Sequence, residues 1–222
     1  MNSLELLNLL QLSDSAFPIG SFSHSCGLES AVQHGLIKSK DNLRSVIVAC
    51  LENTGSFSLP FVTEAYNKSA DSEEIQRLDN FHHISVSNHV ANRASSKQGK
   101  SLLRTVVQVY QFDELISLSK HLQHCHYAVL FGVTFSVVGM DLKTTQAAFM
   151  SGVLRTIISS AVRLDQIGPI EAQKIQLDLL TIIPDIILRN DNKTSADASI
   201  KSPILDISQN SHDTLFSKLF YS

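Results

Sequence analysis

Tryptophan is absent from the 222 residues, and cysteine occurs three times, at Cys26, Cys50 and Cys125, with no C-x-x-C pair. An odd, scattered set encodes neither a disulfide framework nor a zinc ribbon, and it fits a reducing cytoplasmic setting. Glycine and proline are scarce, nine and five residues, well under their usual combined share of about 12%. That scarcity argues against a turn-rich sandwich or barrel. Charge is scarce as well, at 18% where about 25% is typical. The 18 Lys and Arg against 21 Asp and Glu leave a net charge of −3, so no overall positive field draws nucleic acid. Long hydrophobic runs are missing too. No Asp, Glu, Lys or Arg lies between Lys120 and Asp141, but this stretch opens with His121, Gln123, His124 and His126. Only residues 127–140 are strongly apolar, short of the roughly 18–20 needed to span a bilayer; they predict a buried core helix and no membrane partner. The opening MNSLELLNLL has no basic region and carries Glu5, so no secretory signal is expected.

What is present is an apolar fraction of 43%, enough for a core, arranged at helical spacing along most of the chain. Helices are expected over the leucines at 4–12, over 28–35, after Asp41, from Pro60, after Asp71, over 87–109 with Gly99 the likeliest interruption, over 112–121, 126–138 and 144–164, and from Pro169 to Arg189. Pro60 can open a helix at its first turn, Asp71 and Asp141 can cap, and Pro184 should kink or split the last helix. Gly152, a costly residue inside a helix, is read as a close helix–helix approach. No internal repeat and no run of alternating strands appear. The expected fold is all-α: a single-domain bundle of about nine or ten helices over residues 1–189, a polar linker over 190–202, and an apolar docking tail over 203–222.

Three constellations invite a chemical reading. Residues 94–101 match the phosphate-binding loop G-x-x-x-x-G-K-[ST] except for Ala94, but no apolar strand precedes them, as that motif requires. Arg93, Lys97, Lys100 and Arg104 instead step by four, three and four along one helix face, either a solvated stripe or a docking face for an acidic partner. His121, His124 and His126 could share a metal, yet no fourth ligand follows by spacing, and helix-end packing is the competing reading. Ser23, His24 and Cys26 put a hydroxyl, an imidazole and a thiol within four residues, the basis for a small hydrolase or transferase. No carboxylate is placed to orient His24 and the G-x-S-x-G pattern is incomplete; capping of the next helix by Ser23 or Ser25 competes.

The stretch Leu10-Gln11-Leu12-Ser13-Asp14-Ser15-Ala16-Phe17-Pro18-Ile19-Gly20-Ser21-Phe22-Ser23-His24-Ser25-Cys26-Gly27-Leu28-Glu29 resembles the opening of the urease accessory protein F family (UreF). Four later blocks agree in order: Arg93-Ala94-Ser95 to Gln98-Gly99 with Leu102-Leu103; His126 to Gly132; Ala161-Val162-Arg163-Leu164 with Ile167-Gly168 and Gln173; and Ser202-Pro203-Ile204 through His212 to Leu215-Phe216-Ser217-Lys218-Leu219-Phe220-Tyr221-Ser222. Together they span nearly the whole chain. Ser21 stands where the family often has Gly. Lys218 stands where it often has Arg, and so lacks the planar, bidentate guanidinium.

This resemblance implies an all-helical accessory protein and not an enzyme, with no resident cofactor. It implies a homodimer that binds UreD (also called UreH) and, through it, the GTPase UreG, so that nickel is delivered to the urease apoprotein. It also implies a role in gating the GTPase or passing nickel along the assembly. The basic stripe and the tail residues Leu215, Phe216, Lys218, Leu219 and Phe220 are then the partner-binding candidates. Pro18, Gly20, Phe22, Ser25, Gly27, Glu29 and Arg163 are motif residues without an assigned role. In the tail, Leu215 with Leu219 and Phe216 with Phe220 are i, i+4 pairs that predict a short helix. Burial gain and ordering cost nearly cancel there, so the tail is expected to be fixed by UreD.

Overall fold

The computed structural model describes residues 2–222; Met1, the first residue of the expected bundle, lies outside them. The chain is 71% helical without strands among those residues. Eleven α-helices follow in order: α1 (Ser3–Ser13), α2 (Leu28–Gln33), α3 (Lys40–Asn67), α4 (Ser72–Ser85), α5 (His89–Tyr110), α6 (Asp113–Leu118), α7 (Tyr127–Val137), α8 (Leu142–Arg163), α9 (Pro169–Leu180), α10 (Ile183–Asn190) and α11 (Pro203–Asn210).

The apolar segment after His126 forms the axis. Every residue of α7 from Ala128 to Phe135 is buried, because α3, α5 and α8 pack around it. Glycine permits the closest approach. A Cβ on Gly132 would lie 2.3 Å from the Val62 carbonyl oxygen of α3, and one on Gly55 would lie 2.3 Å from Ile186 Cγ2 of α10. Gly152 has no such neighbour within 4 Å, so the close approach expected there is displaced to these positions. The one helix among the described residues long and apolar enough to cross a bilayer is α3, and 61% of its apolar window is buried inside the bundle.

Caps fall where expected at two helices. Asp71 accepts from the Glu73 and Glu74 N–H groups, both at 3.1 Å, and Asp141 accepts from Thr144 N–H at 2.9 Å. Pro184 divides the last long helix into α9 and α10. Pro60 behaves otherwise: it starts no helix and sits inside the 28-residue α3. A proline cannot donate to the carbonyl four residues back. Here that carbonyl, on Ser56, accepts from Ser199 N–H at 3.0 Å, and Ser56 Oγ donates to the Ser199 carbonyl at 2.8 Å. Residues 190–202 lie along α3 through this exchange, with Ser195 N–H donating to Glu64 Oε2 at 2.8 Å and Lys201 N–H to Asn53 Oδ1 at 2.8 Å.

Two further expectations are corrected. Gly99 does not interrupt α5, because that helix presses on the backbone before α7: a Cβ on Gly99 would lie 1.8 Å from the Cys125 carbonyl oxygen. The short helix of the last twenty residues is α11, over Pro203–Asn210, and not 215–220. The amides of Leu219, Phe220 and Tyr221 donate to groups across the molecule, which leaves nothing to build a helical turn.

Candidate functional site

The motif loop before α2 and the tail after α11 meet. Two glycines shape the loop: Gly20 and Gly27 adopt φ of +76° and +84°, a region that glycine enters without strain. A Cβ on Gly27 would come within 3.0 Å of Gln209 Cβ on α11, so the bare backbone lets the tail helix settle. Glu29 follows, in the first turn of α2 and 2% exposed. Its carboxylate accepts from Leu219 N–H at 2.6 Å and Phe220 N–H at 3.2 Å, and lies 3.0 Å from His212 Nε2, itself fully buried.

The loop backbone completes the clasp. Tyr221 N–H donates to the Ser23 carbonyl at 2.9 Å, and Ser25 N–H donates to the Ser222 main-chain oxygen at 2.6 Å. Ser25 Oγ donates to that same oxygen at 3.1 Å. His24 Nδ1 lies 2.6 Å from Ser222 Oγ. Arg163, arriving from the end of α8, lies between two rings, 3.8 Å from the Phe22 centroid and 4.1 Å from that of Phe220, and donates to the Phe22 carbonyl. Such stacked guanidinium contacts contribute about 0.5–2 kcal/mol each. Pro18 presents its carbonyl to Thr105 Oγ1 of α5 at 3.2 Å.

The basic stripe borders this clasp. Arg93 grips Asp213 with both guanidinium arms, at 3.0 and 2.8 Å, and His89 Nε2 lies 3.0 Å from the same carboxylate. These donors, Arg93 first, hold the Asp213 carboxyl well below the usual carboxylate range. Lys97 lies over the Tyr221 ring at 5.1 Å, while Lys100 and Arg104 are exposed. On the tail, Phe220 is buried and Leu215 half-buried. Phe216, Leu219 and Tyr221 stay exposed, Phe216 at 104%. Lys218 Nζ donates to the Asp213 carbonyl at 2.9 Å.

The structure gives the catalytic and metal candidates other partners. Ser23 contributes its carbonyl to the clasp, and Ser25 caps no helix, because α2 begins after Gly27 without a side-chain cap. Burial, ahead of the charges of Lys97 and Arg93, lowers His24 to about 4, and burial pushes the Cys26 thiol up to about 11. A neutral thiol is a poor nucleophile. His121, His124 and His126 do not share a helix face, since α6 ends at Leu118. Asp79 gathers the amides of His124, Cys125 and His126 at 3.1, 2.9 and 2.7 Å, which fixes an irregular loop. No group of three or more His, Cys, Asp or Glu is placed to hold a metal among the described residues. Residues 94–101 lie inside α5, so no loop is there to wrap a phosphate.

Sequence reasoning missed Asp213 and the buried function of His212, and it had Ser222 as a motif residue without a role. A lone acid and a lone histidine far along the chain carry no periodic signal. The one available hint was Glu29, a carboxylate in a helix turn otherwise due for burial.

A family model described as UreF matches residues 37–180. The chain is similar to "Urease accessory protein F" of Oryza sativa subsp. indica, 38% identical over 99% of this chain and 86% of that protein. It is 36% identical to the protein of the same name in Arabidopsis thaliana, over 96% of this chain and 90% of the relative. "Urease accessory protein UreF" of Trichodesmium erythraeum is 34% identical over 97% and 96%.

Proposed function

The chain belongs to the urease accessory protein F family, and from that premise we propose that it acts without chemistry of its own, as an adaptor in the assembly that matures urease. Its partners in this reading are UreD/UreH, the GTPase UreG and the urease apoprotein, with nickel as the cargo of the assembly. It works in the cytoplasm as a homodimer, and its part is to gate the GTPase.

The observation that carries this reading is the clasp. The tail backbone is fixed by Glu29, Ser23 and Ser25, yet the large side chains it carries point away: Phe216 is fully exposed, Leu219 and Tyr221 more than half. Ile204 and Ile207 on α11 are exposed at 70% and 69%. Apolar side chains held on this frame, beside the cations Lys97 and Lys218, have the composition of a protein-binding surface. A second apolar face lies on α1, where Leu4, Leu6, Leu7 and Leu10 are exposed.

Deleting residues 203–222 tests the proposal. The shortened chain is expected to stay helical by circular dichroism and to lose co-purification with UreD and UreG, together with urease activation in cells. Assembly at undiminished affinity would refute the docking role.

A further inference from the structure

Four imidazoles meet where α4 faces the loop that precedes α7. His83 and His124 stack with centroids 3.6 Å apart and planes 10° from parallel. Behind them His82 and His126 stack at 4.3 Å, and His83 Nδ1 lies 3.2 Å from His126 Nε2. The other nitrogen of His126, Nδ1, lies 3.1 Å from Ser95 Oγ on α5. Ser95 and His82 both line a cavity of about 220 Å³. His82 is 3% exposed, and its Nδ1 has no hydrogen-bond partner. The rings thus form a ladder from half-buried His83 and His124 to the cavity wall.

From α4, Asp79 accepts from the three loop amides of His124, Cys125 and His126, and its charge favours protonation of His126. Burial outweighs it, and Lys100 of α5 opposes protonation as well. A proton on His126 therefore places a charge within ring contact of other imidazoles, away from water.

We propose that this ladder is an acid-sensitive catch, which holds the 119–126 loop against α4 at neutral pH and lets it lift on mild acidification, uncovering the cavity wall at Ser95 and His82. Linkage gives the direction. Burial lowers His82 well below its ordinary value and His126 to about 4, whereas imidazoles in water titrate near 6.5. His82 stays packed against Phe57 and Phe61 of α3 when the loop lifts; opening returns His126 to water, so the open form binds more protons and gains population as pH falls below 6.5.

Amide hydrogen exchange of the full chain at pH 7.5 and 5.5, corrected for the intrinsic chemical rate, tests the catch. Protection of residues 122–127 is expected to fall about tenfold, while that of α8 holds. His126→Gln, which removes the inner rung, should abolish the acid response. Because His126 is fully buried and its replacement can unfold the chain, a pH series on the wild type is the second measurement: the loss of protection should begin near pH 6.5 and steepen to about tenfold per pH unit below it. Unchanged protection in the wild type, or a full acid response in the folded His126→Gln chain, overturns the proposal.

Discussion

Replacing Glu29 by alanine removes the acceptor shared by Leu219 N–H, Phe220 N–H and His212. Hydrogen bonds to a charged group contribute about 1.5–3 kcal/mol each, so three of them, one long at 3.2 Å, amount to roughly 4–7 kcal/mol. The body of the protein need not absorb that loss. Phe220 is the only apolar side chain of residues 211–222 that is fully buried, and burying it contributes only about 1.5–3 kcal/mol. The tail should therefore detach before the bundle loosens, and its donors should find water. The expected result is a rise of about a hundredfold or more in the exchange rate of amides 219–221, and tryptic cleavage after Lys218, with the thermal midpoint of the bundle nearly unchanged. Glu29→Gln retains one acceptor oxygen and should fall between. Wild-type protection of 219–221 in Glu29→Ala would show that the clasp does not depend on the carboxylate. Simultaneous loss of the whole fold would show that tail and bundle are one cooperative unit, contrary to the reasoning.

Acid should destabilise the protein as a whole. His24 and His126 are neutral in the fold, with values of about 4 against 6.5 unfolded, so their contribution is intact above pH 6.5 and is lost as pH falls toward 4. Urea melts at pH 7.5 and 4.5 should differ by about 2–3 kcal/mol for each ring, and equal midpoints would contradict the burial. Gly99→Ala should cost about 3 kcal/mol or more, since its Cβ would meet the Cys125 carbonyl at 1.8 Å. Gly152→Ala, with open space around it, should stabilise by about 0.5–1 kcal/mol; thermal melts that rank the two the other way would refute this packing account.

Local physics was the legible part. The Asp71 and Asp141 caps, the mostly apolar α7 and the break at Pro184 follow from residues within a few positions of one another. Three of the misreadings share one cause: a partner far along the chain. Pro60 looked like a start because Ser199 was not in view, and Gly99 like an interruption because Cys125 was not. The 215–220 segment looked helical because Glu29 lies about 190 positions earlier. The site was half legible. The motif residues Ser25, Gly27, Glu29 and Arg163 were singled out without a role, and the tail with a role but without its seat. Nothing in the spacing of either set says that the two face each other.

In an unbroken helix the Ser56 carbonyl would meet the amide of residue 60. Proline has no amide hydrogen to offer, and the oxygen is met by Ser199 N–H instead. Any other residue at position 60 would bring its own amide to the same oxygen, whose two lone pairs would then be shared, and the segment that leads to α11 would be held less firmly. The course of the chain into the tail is written in part by an amide hydrogen that is not there.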